Sequence, residues 1–174
     1  LGYAASLYGS PTRTIKSISE YFKPSISWSK ISSGSLAMRA FPEGFLFDVA
    51  GCCIFSEEKR DREWLLAFTN SAVVRHLLSA ISPTLNFEAG QIAQLPLLTQ
   101  KIEIEEVIPR VCNLVEQAGA DWDAYERSWD FLSLPLLTAS SEPAPILESS
   151  YTAWTRKNRD TIAEMKCLEE ENNR

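Results

Sequence analysis

The chain is poor in the residues that carry most enzyme chemistry. Among its 174 residues are one histidine, four cysteines, two methionines and seven glycines. No apolar run approaches the roughly 18 residues of a membrane-crossing helix, so no membrane partner is expected. Cys52, Cys53, Cys112 and Cys167 show no C-x-x-C spacing. Adjacent cysteines on a strand point to opposite faces and cannot easily bridge each other. Scattered cysteines with a single histidine are a poor zinc site, and the thiols read as buried, reduced side chains of a cytoplasmic protein. A nucleophile–base pair would have to use His76, which lies in the helical-looking run NSAVVRHLLSAI and reads as a helix residue, packed or partly exposed. The patterns G-x-x-x-x-G-K-[ST] and G-x-G-x-x-G are absent, as are paired-carboxylate signatures. The expectation is a chain without catalytic residues, metal or cofactor of its own. Its first residues, LGYAASLYGS, lack an initiator Met, a basic region and a long apolar core. They are not a signal peptide, and the expectation is a piece of a longer polypeptide.

One absence is local. From Phe22 to Pro42 there is no Asp or Glu, although Lys23, Lys30 and Arg39 are present, in a chain with 17 basic and 23 acidic residues. The acidity lies further on. Residues 1–100 hold nine Lys/Arg against eight Asp/Glu, whereas residues 101–174 hold eight against fifteen. A polyanion can approach the first part without opposing the second, provided the two are spatially apart.

A composition that is 45% hydrophobic and 23% charged permits an ordinary globular core. The pattern of the first part is mixed α/β. SISWSKIS alternates Ile26, Trp28 and Lys30 against serines, the period of a half-buried strand. SSGS turns, LAMRAF resumes, Pro42–Gly44 turns again, and FLFDVAGCCIF continues as strand sequence. An antiparallel sheet around 26–55 is expected. Ser56 is the expected N-cap of a charged helix start, with a helix near 64–81 packing on the sheet. Pro83 stops it, and Ile92, Leu95 and Leu97 read as a short return strand.

The second part is helical. Ile104, Val107, Ile108, Val111, Leu114, Val115 and Ala118 share one face, Gly119 is the expected stop, and Pro109 implies a kink or a later start. DWDAYERSWDF reads as a short aromatic helix and LTASSEPAPILESS as a connector. A last helix from about Ser150 carries Tyr151, Trp154, Asn158, Ile162, Met165 and Leu168 at spacings of three and four, a seam for another helix. Antiparallel helices are expected over 101–174.

FKPSISWSKISSGSLAMRAFPEGFLFDVAGCCIF, followed by LLAFTNSAVVRHLLSAISPTLNFEAGQIAQLPL, resembles the target-recognition region of BREX (PglX-type) adenine-specific DNA methyltransferases. It resembles more loosely the recognition domains of type IIG restriction–modification fusions and type I specificity subunits. DWDAYERSWDF and AEMKCLEEENNR resemble later C-terminal segments of that family, so the likeness covers roughly residues 20–174. It implies an α/β (α+β) target-recognition domain over 1–100 with a mixed or antiparallel sheet. A mostly helical spacer and support over 101–174 then follows. It implies a cytoplasmic parent enzyme in phage defence or restriction–modification that methylates adenine N6 from S-adenosylmethionine. The family's Asn-Pro-Pro-Tyr/Phe motif and Gly-rich cofactor loop do not occur in these residues. This segment is therefore expected to help choose the adenine. The implied partners are double-stranded DNA, the methyltransferase core of the same parent chain and other subunits of the defence system.

DNA phosphates attract Lys, Arg, Ser and backbone N–H groups and repel carboxylates, and bases are read by Arg, Lys, Asn, Gln, Ser and Thr. The candidate contacts are Lys23, Ser29, Lys30, Ser32, Ser33, Arg39 and Asn86. Lys30, Ser32, Ser33 and Arg39 flank the expected Gly34 turn, at the tip and rim of a hairpin. Lys23 reads equally well as a solvated lysine. Asn86 reaches a base or holds a turn, with the turn favoured, and Trp28 is a core residue sooner than a stacking platform. Arg39 either forks to guanine or pairs with Glu43 or Asp48. The alternative function is a non-catalytic protein–protein interaction module with a dimerising helical arm.

Overall fold

The structure is a computed structural model that describes residues 16–97 and 104–174. Expectations for residues 1–15 and 98–103, including the start of the helices expected over 101–174, lie outside the described residues. The described part is α+β, a small three-stranded antiparallel sheet with six α-helices. It divides into two compact units, residues 16–70 with 74–97, and residues 71–73 with 104–174.

In the first unit, a 3-10 turn at Ile18–Glu20 precedes β1 (Ser25–Ser29), β2 (Arg39–Phe41) and β3 (Gly51–Ile54), in the spatial order β2-β1-β3. The period of two places Ile26 and Trp28 in the core, 1% and 2% exposed. Trp28 Nε1–H donates to the Phe87 carbonyl at 2.9 Å, which satisfies the one polar atom that its burial withdraws from water. It is a core residue. Residues 30–38 separate β1 from β2, a longer connection than the SSGS turn alone. The third strand is shorter than its apolar run because Asp48 Oδ1 accepts the N–H groups of Ala50 (2.8 Å) and Gly51 (3.1 Å), closing a turn just before it.

The expected helix near 64–81 is two helices, α1 (Lys59–Thr69) and α2 (Ala72–Ile81), bent by 68°. Asn70 marks the break. Its side chain donates to the carbonyls of Leu66 (3.1 Å) and Met38 (3.0 Å), and its Oδ1 accepts Met38 N–H at 2.9 Å. That exchange with the approach to β2 replaces a continued helix. Nor is Ser56 the cap: Glu58 holds that position, while Arg62 donates to the carbonyls of Ser56 and Glu57.

The return strand expected at Ile92–Leu97 is not present. Ala89–Ile92 is a one-turn helix, α3, entered through Glu88 N–H donating to Gln91 Oε1 at 2.8 Å. Strand-like pairing occurs earlier, as an antiparallel bridge between Ile31 and Asn86. Polar capping at Glu88–Gln91 favours the turn over an extended chain, and Ile92 and Leu95 are buried from there.

The second unit holds α4 (Ile104–Asp123), α5 (Pro135–Thr138) and α6 (Leu147–Asn172). α4 and α6 run antiparallel, because Arg110 pairs with Glu171 (3.2 Å) while Asn113, further along, donates to Glu164 (3.2 Å). Pro109 lies inside α4, and Gly119 does not end it. The helix continues through Trp122, which leaves turns rather than a separate aromatic helix over 124–131. Ser128 Oγ, donating to Asp123 Oδ1 at 2.6 Å and accepting Asp130 N–H at 3.1 Å, holds those turns. Among the described residues no single helix is long and apolar enough to cross a membrane.

Candidate nucleic-acid interface

The sheet has one face in the core and one open. On the other face the central strand places its serines, Ser25 buried, Ser27 half-buried and Ser29 exposed, since Ile26 and Trp28 take the inward positions. Ser27 stands opposite Arg39 of β2 and Cys53 of β3, and Ser29 stands opposite Gly51. Residues directly opposite on an antiparallel pair share a face, so Arg39 projects beside the Ser27 hydroxyl, on the same face as Ser29. Arg39 is exposed, and among the described residues no carboxylate lies within ion-pair distance of it. Neither Glu43 nor Asp48 takes it up, and Asp48 instead accepts the turn's N–H groups.

Beyond Ser25 and Ser27 the same face opens into a concavity of about 340 Å³, walled by Phe41, Phe45, Phe47 and Cys53, with Asp48 also at its lining. Its aromatic wall is made of two groups of touching rings. Phe41 meets Phe45 edge-on at 5.3 Å, and Phe47 contacts both Tyr21 and Phe55. Phe22 carries a left-handed backbone (φ 66°), rare for a bulky side chain. It is held there by its N–H donating to the Phe45 carbonyl and its carbonyl accepting Gly44 N–H. Gly44, at φ 99°, supplies the conformation that this close approach requires.

The other sequence candidates are placed differently. Lys23 Nζ is 3.0 Å from Glu20 Oε2. The lysine's hydrogen bond, with one from Ser19, holds the Glu20 carboxyl below its ordinary pKa. Lys30 follows Ile26 and Trp28 onto the inner side, away from any hairpin tip, and its Nζ is 3.0 Å from Glu88 Oε1. Its backbone is engaged too, donating to the Ala50 carbonyl and accepting Phe87 N–H. Ser32 is a turn residue, with N–H to the Leu85 carbonyl and Oγ accepting Gly34 N–H. Ser29 and Ser33 are exposed. Asn86 holds a turn through its backbone, donating to Thr84 Oγ1 and accepting from Ser82 Oγ. The structure thus brings Ser29 and Arg39 to one face and engages Lys23 and Lys30 with carboxylates from outside the 22–42 stretch.

The cysteines are half-buried rather than buried, with Cys167 exposed. Burial beside Trp28 pushes the Cys52 thiol up from its ordinary value, against the opposing pull of Lys30. Among the described residues no group of three His, Cys, Asp or Glu is placed to hold a metal. The strand-to-helix passage from Ile54 to Lys59 is Phe-Ser-Glu-Glu, with two acids and no glycine.

Sequence reasoning overlooked Arg75. It sits among apolar helix residues, and the signal was a second carboxylate-free run, from Trp64 to Phe87.

No family profile matches the chain. Two curated relatives do, and both are adenine-specific methyltransferases. One is PglX of Lacticaseibacillus casei (strain Zhang), 35% identical over 155 residues, which are 88% of this chain and 13% of the relative. The other is BrxX of Escherichia coli O9:H4 (strain HS), 33% identical over 113 residues, 64% of this chain and 9% of the relative. The chain is homologous to a part of these proteins and spans only about that small share of their length.

Proposed function

We propose that this chain is a DNA target-recognition portion of an adenine-specific methyltransferase of the BREX type, acting in phage defence. In this reading the first unit contacts double-stranded DNA. The methyl donor, S-adenosylmethionine, and the catalytic residues belong to a methyltransferase core elsewhere in the parent chain. The helical unit is a spacer and support.

The observation that carries it is Arg39, an exposed guanidinium opposite Ser27 with no carboxylate within ion-pair distance among the described residues. An unpaired planar fork on a hydroxyl-lined face suits bidentate donation to a guanine edge. Lys23 and Lys30 fit less directly, since a phosphate must compete with Glu20 and Glu88 for them. The relatives' names support the methylation of adenine in the parent.

The test is methylation profiling of Arg39→Ala in the full-length chain. The expected result is a loss of about 1–3 kcal/mol at the cognate site, with discrimination relaxed at one base position. Unchanged site choice together with an unchanged salt dependence would remove Arg39 from the interface. A second reading, an interaction module, draws on Trp129 and Leu132, each 94% exposed in the helical unit. It predicts a stable assembly and no salt-dependent affinity for DNA.

A further inference from the structure

A second groove in the first unit has the chemistry of an anion site. It lies between the Ser33–Leu36 segment and the end of α2, encloses about 530 Å³, and is floored by Leu78 and Phe87. Its polar lining is Arg75, Ser33, Ser35, Ser79, Ser82 and Thr84, with no carboxylate among the lining residues. The proton count separates these groups. Ser82 Oγ already donates to the Asn86 carbonyl, and Ser79 Oγ donates to the His76 carbonyl. Thr84 Oγ1 accepts Asn86 N–H and so keeps its own proton to give. Ser33 and Ser35 are exposed and, among the described residues, their hydroxyls have no partner. Arg75 is exposed and has no ion pair among the described residues. Three hydroxyl donors and a guanidinium with five N–H groups therefore face one groove.

The groove is also held in shape. Ser32 N–H donates to the Leu85 carbonyl, which ties the serine loop to the far wall, and Trp28 fixes the Phe87 floor. The nearest sequence acid, Glu88, is already paired with Lys30.

We infer that this groove binds a phosphodiester of the DNA backbone, with Arg75 as the cation and Ser33, Ser35 and Thr84 as neutral donors. A phosphodiester carries one negative charge and only acceptor oxygens, so it matches a site of one cation and several donors. The inference rests on the DNA reading of the same unit. It adds a contact that fixes register without reading sequence.

Arg75→Ala and the conservative Arg75→Lys, in the full-length chain, are titrated with a cognate and a scrambled duplex across a salt series. Arg75→Ala is expected to lower the slope of log affinity against log salt by about 0.9, about an eightfold loss at 0.1 M salt for lines meeting at 1 M. The loss should be equal for both duplexes, and Arg75→Lys should keep most of the slope. Ser33→Ala with Ser35→Ala should weaken both duplexes while leaving the slope intact. An unchanged slope in Arg75→Ala, with Arg39→Ala still impairing DNA binding, would overturn the groove alone. Unchanged DNA binding in both variants would overturn the DNA reading itself. Competition by a poly-glutamate peptide that disappears in Arg75→Ala, with the duplex slope unmoved, would assign the groove to an acidic protein and also overturn the inference.

Discussion

The first unit encloses Ile26, Trp28, Val74 and Leu78 at 0–2% exposure, with Met38, Leu66, Phe87, Ile92 and Leu95 close behind. In the second unit Val111 is the one buried large apolar residue among those described, while Trp122, Tyr125, Trp129, Leu132 and Leu137 are exposed. The difference is not one of apolar content, since both units are rich in such residues. A sheet covered by helices on one face closes a core from a few strands. Two long antiparallel helices bury one stripe each and leave their other faces and the connecting turns open. The first unit therefore owes its shape to its own core, and the second keeps apolar surface available.

Three variants sharpen or break that comparison. The largest effect is expected from Trp28→Ala, which empties a core site and orphans the Phe87 carbonyl. Denaturant unfolding should show a loss of about 3–5 kcal/mol; a loss below about 1 kcal/mol would mean that the sheet core does not govern stability. Next is Thr155→Val in α6. Thr155 Oγ1 is buried with no hydrogen-bond partner among the described residues. Removing an unsatisfied hydroxyl should raise stability by about 1 kcal/mol in the same measurement, and a decrease of that size would reveal a partner for it. The smallest effect is expected from Trp129→Ser with Leu132→Ser. In this chain, thermal unfolding should move by no more than about 0.5 kcal/mol, as for exposed sites generally. A loss above about 1 kcal/mol would show that these side chains are covered after all, and the contrast between the units would fail.

Much of the local architecture was legible. The alternation of Ile26 and Trp28 with serines set which face of β1 enters the core, and the apolar spacing of 104–118 and 151–168 marked two helices. Misreadings came where a distant group intervened. Asn70 leaves its helix because Met38 offers a backbone donor and acceptor, and neither can be seen from the helix sequence. Gly119 continues its helix because a glycine there lowers helix propensity by only about 1 kcal/mol, which a long packed helix absorbs. The segment at 92–97 looked like a strand from its apolar residues, but the Glu88–Gln91 hydrogen bond turns the chain first.

The site divides along the same line. The sequence by itself determined that a stretch from Phe22 to Pro42 would hold cations without carboxylates, and that its serines would share one strand face, because strand periodicity is local. Which cations stay available was decided only by tertiary structure. Lys30, just after β1, lies on its inward side and meets Glu88, whereas Arg39 lands opposite Ser27 with no acid within ion-pair distance among the described residues. Arg75, unremarkable in its helix, gains Ser33 and Ser35 as neighbours across a groove. Charge pairing acts over a few ångströms and is blind to separation along the chain, so a local run of residue types cannot reveal which charges the fold will neutralise.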